Sequence, residues 1–177
     1  MAGDASAFEA LVSRYKDMVY TMCCYLLGDA HEAEDLSQEV FIKVFRSLEG
    51  FRHESSFSTW LHVITLNTCR NRLTSLPFRI KKKMVSLIRN DEEGGLFPDI
   101  PDKAPLANGE LIRHERMVRV RKAIAELSPD HKEVIVLRDI EGLSYEEIAE
   151  ATGKDLGTVK SRIARARRQI KERLKGV

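Results

Sequence analysis

The 177-residue sequence has no run of 18 apolar residues, and its first residues lack the basic-then-apolar layout of a signal peptide. Nothing in it predicts membrane insertion or export, and a cytoplasmic location is expected. Cysteine is scarce. Cys23, Cys24 and Cys69 show no C-x-x-C spacing, and the adjacent pair lies inside an apolar-periodic stretch, the setting of buried thiols that act as small hydrophobes. A redox signal through Cys23 and Cys24 is the alternative use of that pair. The five histidines, at 31, 53, 62, 114 and 131, form no HxxxH or Cys/His cluster, so no zinc site is expected. There is no GxxxxGK[ST] loop, no HExxH and no coherent nucleophile and base set, which argues against an enzyme and leaves no cofactor to place. Strand signals are almost absent as well.

Apolar residues instead recur at three and four. Phe8, Leu11, Val12, Tyr15, Val19 and Met22 form one such set; Leu36, Val40, Val44 and Leu48 a second; Leu61, Ile64 and Thr68 a third. Gly28-Asp29 breaks the first helix from the second, and "GFRHESS" breaks the second from the third. From residue 76 to 109 the periodicity fails across Pro77, Pro98, Pro101, Pro105 and a glycine pair, which predicts a flexible linker carrying a short helix around Lys82–Ile88. Four further helical signals follow. The fold class expected is all-α, two small helical domains over 1–75 and 111–177 joined by a linker over 76–110.

Charge is balanced in total and segregated in place: 29 Lys and Arg face 27 Asp and Glu, yet nine cations follow residue 153 against only Asp155 and Glu172. A helix with that surplus calls for a polyanion. Leu111, Ile112, Met117, Val120, Ile124 and Leu127 share one face of the first C-terminal helix, and Ser128 with Pro129 opens the next, which stops at Gly142. Ser144 and Glu147 then form an S-x-x-E capping box, and "ATGKD" supplies a tight break at Gly153, with small Ala149 allowing close approach. That is helix-turn-helix logic, with the second helix, capped by Asp155, entering a major groove. Thr158, Ser161, Arg162 and Arg165 project on one side as candidate base readers, while Lys160, Arg167, Arg168 and Lys171 suit phosphate. Taken alone, such a charge run is by default a solvated face; the capping box and the acidic preceding helix argue otherwise.

"GDAHEAEDLSQEVFIKVFRSLEGFRHESSFSTWLHVITLNTCRNRL" resembles region two of bacterial sigma factors, in the compact extracytoplasmic-function group of the sigma-70 family. "ELSPDHKEVIVLRDIEGLSYEEIAEATGKDLGTVKSRIARARRQI" resembles region four of the same group, and the two blocks occur in the right order. The resemblance is to the compact group, for which no counterpart of region three or of the acidic region one of housekeeping sigma factors is expected. The resemblance implies an alternative sigma factor, not an enzyme, that binds core RNA polymerase and directs promoter-specific initiation. Between Asp29 and Glu39 stand five carboxylates and no Lys or Arg; by default this too is a solvated face, but it matches the surface that docks on the β′ clamp helices. Asp35, Gln38 and Glu39 are therefore the candidates for core binding. The third helix matches the segment that recognises and melts the minus-10 element, with Asn67 beside the flipped base, Arg70 and Asn71 one turn on, and the loop Phe51 to Phe57 as base pocket. Trp60 is either a core anchor or a DNA-facing platform. Thr158, Lys160, Ser161, Arg162, Arg165 and Arg168 become the minus-35 set. Implied partners are core polymerase through its β′ and β subunits, promoter DNA, and an anti-sigma factor, often membrane-tethered. The competing reading is a conventional helix-turn-helix regulator that binds paired half-sites without polymerase.

Overall fold

Gly28 and Asp29 turn the chain after its first helix, α1 (Ala2–Leu27). Gly28 takes φ 71°, a conformation open to glycine, and its N–H donates to the Cys24 carbonyl at 2.9 Å. Asp29 then caps α2 (Ala30–Ser47) by accepting from the Glu32 N–H at 3.0 Å. A short 3₁₀ turn over Leu48–Gly50 and an irregular loop lead to α3 (Phe57–Thr74), which Ser56 caps through the Thr59 N–H at 3.0 Å. The computed structural model describes residues 2–88 and 110–175. Among them there is no strand, as expected for an all-α chain.

The expected linker begins differently from the sequence reading. Residues 76–88 form a helix, α4 (Leu76–Ile88), so the short helix expected at Lys82–Ile88 extends back to Leu76. Ser75 is the reason: its N–H ends α3 on the Arg72 carbonyl, and its own carbonyl accepts the Arg79 N–H, both at 3.1 Å. Pro77 falls in the first turn, where its missing N–H has no intrahelical acceptor to lose. Phe78 is buried, which fixes α4 to the rest of its unit. Residues 89–109 lie outside the described residues.

Chain contacts divide the molecule into two units, Met1–Pro98 and Asp99–Val177. In the first, Val19, Met22 and Cys23 of α1 meet Leu36, Val40 and Val44 of α2 and Leu61 and Leu66 of α3, all fully buried. Each such aliphatic side chain contributes about 1.5–3 kcal/mol relative to exposure. In the second unit, α5 (Glu110–Ala125), α6 (Pro129–Ile135), α7 (Tyr145–Thr152) and α8 (Leu156–Lys175) enclose Ile124, Leu127, Ile135, Leu137, Ile148, Val159 and Ile163. The α5 face is only partly covered, since Val120 stays exposed while Ile124 and Leu127 are buried. Ser128 sits at the N-cap of α6 but makes no side-chain cap bond there. Beyond α6 the helix widens into a π turn, Val136–Ile140, where the Glu141 N–H reaches back to the Val136 carbonyl at 3.0 Å.

Candidate nucleic-acid interfaces

Between α7 and α8 every expected local device is present. Ser144 and Glu147 close the capping box reciprocally, the Glu147 N–H donating to Ser144 Oγ at 3.1 Å and the Ser144 N–H to Glu147 Oε2 at 2.8 Å. Gly153 takes φ 66°, and the Lys154 N–H returns to the Ala149 carbonyl at 3.1 Å, a Schellman closure. Asp155 opens α8 by accepting the Thr158 N–H at 2.8 Å and the Thr158 hydroxyl at 2.6 Å. These bonds to Thr158 hold the Asp155 carboxyl below its usual range. Val159, Ile163 and Ala166 form the buried seam of α8, and Ser161, Arg165 and Arg168 stand on the opposite, exposed side with Lys160 beside them.

The structure sorts the cations that the sequence could only list. Arg162 is half-buried, its Nη2 paired with Asp130 Oδ2 at 2.9 Å, so it flanks the groove-facing side and braces α8 to α6. Arg167, expected to meet phosphate, clasps Asp139 of the π turn, its Nε 3.1 Å from Oδ2; that hydrogen-bonded carboxylate raises the Arg167 pKa. Arg173 pairs with Glu126 at 3.1 Å. Lys171 instead borders an open apolar groove of about 530 Å³ lined by Val120, Ile124, Ile135, Ile140, Ile170 and Leu174.

In the first unit, a polar stripe and an aromatic cluster share α3. Trp60, Ile64, Asn67 and Asn71 follow one another at helical spacing, and Asn67 and Asn71 are exposed while Arg70 beside them is half-buried. At the head of the stripe, the Trp60 ring lies 4.9 Å from Phe51 and 5.7 Å from Phe57. The Phe51 ring is 4.5 Å from His53, which holds φ 57°, and Tyr15 closes on Phe57 at 5.3 Å. Trp60 is half-buried, so it both anchors this cluster and borders solvent.

On α2, Asp35 and Gln38 are exposed together, but Glu39 is engaged within the unit. Its carboxylate takes Lys43 Nζ at 2.8 Å and Arg72 Nη2 at 3.0 Å, and these partners, Lys43 first, hold its pKa below the ordinary value. Two residues that the sequence reading passed over continue the exposed face: Ile42 is 51% and Phe45 58% exposed. Their signal was present, because neither falls in phase with the core series Leu36, Val40 and Val44. The three cysteines are buried free thiols, and Cys23 faces Cys69 at 3.7 Å across α1 and α3. Cys24 meets Tyr20, whose phenol is pushed up to about 12, chiefly by burial. Among the described residues no group of His, Cys, Asp and Glu is placed to hold a metal ion, and no helix is long and apolar enough to cross a membrane.

A capped helix, a left-handed turn and a second helix with cations on its outer side define a helix-turn-helix protein of the DNA-binding class. The comparisons with known proteins narrow that class. The family described as "Sigma-70 region 2" matches residues 11–76, and "Sigma-70, region 4" matches residues 117–170. The chain is 37% identical to the RNA polymerase sigma-H factor of Pseudomonas aeruginosa, covering 97% of this chain and 88% of that one. It is 39% identical to the ECF RNA polymerase sigma-E factor of Haemophilus influenzae, over 97% of this chain and 89% of the relative. Among solved structures, the sigma factor RpoE of Bartonella quintana, crystallised with the anti-sigma factor NepR, superposes with a TM-score of 0.72 at 26% identity, over 96% and 97% of the two chains. The chain belongs to the extracytoplasmic-function group of the sigma-70 family, whose members are transcription initiation factors and not enzymes.

Proposed function

We propose that this chain is a dissociable promoter-specificity subunit: it joins core RNA polymerase, reads the minus-35 duplex with α8, opens minus-10 DNA with α3, and leaves after initiation. The observation that carries this reading is the presence in one chain, in order, of both family regions, residues 11–76 and 117–170, each with the exposed face that its role requires. On α8, Arg165 with Ser161 reads base edges and Lys160 and Arg168 meet phosphate, consistent with their exposed positions, while half-buried Thr158 reads beside them with its hydroxyl donated to Asp155. Arg162 acts beside them as a brace. On α3, Asn67, Arg70 and Asn71 hold unpaired bases, with the ring cluster of Phe51, Phe57 and Trp60 as the wall that receives a base leaving the stack. No covalent chemistry is assigned to the chain; strand opening draws on binding free energy.

Docking on the β′ clamp helices falls to the exposed α2 face, Asp35 and Gln38 extended by Ile42 and Phe45. The apolar groove between α5 and α8, rimmed by Lys171 and Lys175, is the place this reading gives to the β subunit. An anti-sigma factor, cytoplasmic or membrane-tethered, restrains the chain by covering such faces; the similarity to a sigma factor solved with its anti-sigma partner supports that. The chain acts in the cytoplasm, where its DNA is. The test is transcription in vitro from randomised promoters, with bacterial core polymerase alone and with the purified protein. Initiation that appears only with the protein is expected and yields its promoter; duplex binding without any core binding would favour the free-standing regulator instead.

A further inference from the structure

Arg72 lies on α3, one residue past Asn71, and both ends of its guanidinium are engaged. Nη1 donates to Glu32 Oε2 and Nη2 to Glu39 Oε2, each at 3.0 Å. Glu32 is buried at the start of α2, two helical turns from Glu39, so the planar fork spans a stretch of the neighbouring helix. The other oxygen of Glu39 takes Lys43 Nζ at 2.8 Å, and the same ammonium donates to Thr68 Oγ1 at 3.3 Å. Thr68 and Arg72 stand one turn apart on the side of α3 that faces α2. Asn67 and Asn71 each precede one of them by a single residue, roughly 100° around the helix. The strap therefore fixes the rotation of α3 about its own axis.

We propose that Arg72 is a positioning residue for promoter opening: through Glu32 and Glu39 it aims Asn67, Arg70 and Asn71 at the DNA. Glu39 follows Gln38 directly and shares its helix with Asp35, so the strap ties the polymerase-docking helix to the strand-opening one. Arg72 acts in this arrangement by position and not by reading DNA, since one donor on each end of its guanidinium is held by a carboxylate of α2. The inference rests on the sigma-factor reading of α3, and its test separates the two.

The complete protein is prepared as wild type, Arg72→Gln, Arg72→Lys, Glu39→Gln and the Arg72→Gln/Glu39→Gln double variant. Each is assembled with saturating core polymerase on a promoter that the transcription assay yields, at a temperature where its circular dichroism is native, and opening is read from permanganate reactivity of unpaired thymines. Arg72→Gln is expected to lower opening about tenfold, an effect of the size shown by coupled polar contacts, and the double variant to be no worse than the poorer single one. Arg72→Lys retains part of the opening, since an ammonium can still reach one carboxylate. Normal opening by folded Arg72→Gln would overturn the proposal, as would additive losses in the double variant. So would a neutral Glu39→Gln beside a defective Arg72→Gln, the pattern of a direct DNA contact. A wild type that fails to initiate overturns the sigma-factor reading and this inference with it.

Discussion

Asp155 uses both carboxylate oxygens on Thr158, and this makes the start of α8 sensitive to acid. Its pKa is lowered in the folded chain, so the stabilisation is complete above the ordinary carboxylate value of about 4 and is lost as pH falls through the lowered value. Asp155→Asn keeps a cap oxygen but removes the charge; a flatter acid limb in pH-dependent denaturation is the expected result. Gly153 shows a second kind of local commitment, to a conformation and not to a contact. Its φ of 66° strains any side chain, although nothing lies within 4 Å of where a Cβ would stand. Gly153→Ala should cost the C-terminal unit about 1 kcal/mol, with Gly153→Asn milder, since Asn tolerates the left-handed region. Denaturant titration of the two variants checks both the size and the order.

Two helix faces carry the separable halves of the proposed function. Asp35→Lys should weaken assembly with core polymerase while minus-35 duplex binding by the free chain stays unchanged, as measured by polymerase titration and DNA anisotropy. Arg165→Ala should do the reverse, losing about 1–3 kcal/mol of base discrimination with assembly intact. The helices themselves were legible because a 3.6 period needs only local spacing, and the caps at Ser144, Gly153 and Asp155 each announce themselves within three residues. What stayed hidden is non-local. Glu39 and Arg72 are separated by 33 positions, and no periodicity reports a pairing over that span. Arg162, expected at base edges, and Arg167, expected at phosphate, pair with Asp130 and Asp139, contacts that no local spacing reports. The helix expected at Lys82–Ile88 extends back to Leu76, a start the sequence hides because Pro77 resembles a breaker until Ser75 is seen to begin a new helix before it.

Across the chain the formal net charge is only +2, so attraction to DNA comes from the segregation of cations onto the α8 surface. Duplex binding should fall with salt by about 0.9 log units per log unit for each phosphate neutralised, and Lys160→Ala and Arg168→Ala should each lower that slope by about one unit. A salt titration of the three proteins decides this. The π turn at Val136–Ile140 has a different reach. It holds one residue more than a regular helical turn would, and that surplus sets where Asp139 stands to receive Arg167. A chain shortened by one residue there would re-close as an ordinary α-helical turn, with the segments on either side near their present phase but Asp139 moved from the place where it receives Arg167. The surplus residue thus serves a contact and not the course of the chain, and its loss should cost the Asp139–Arg167 clasp while the helices on either side keep their packing.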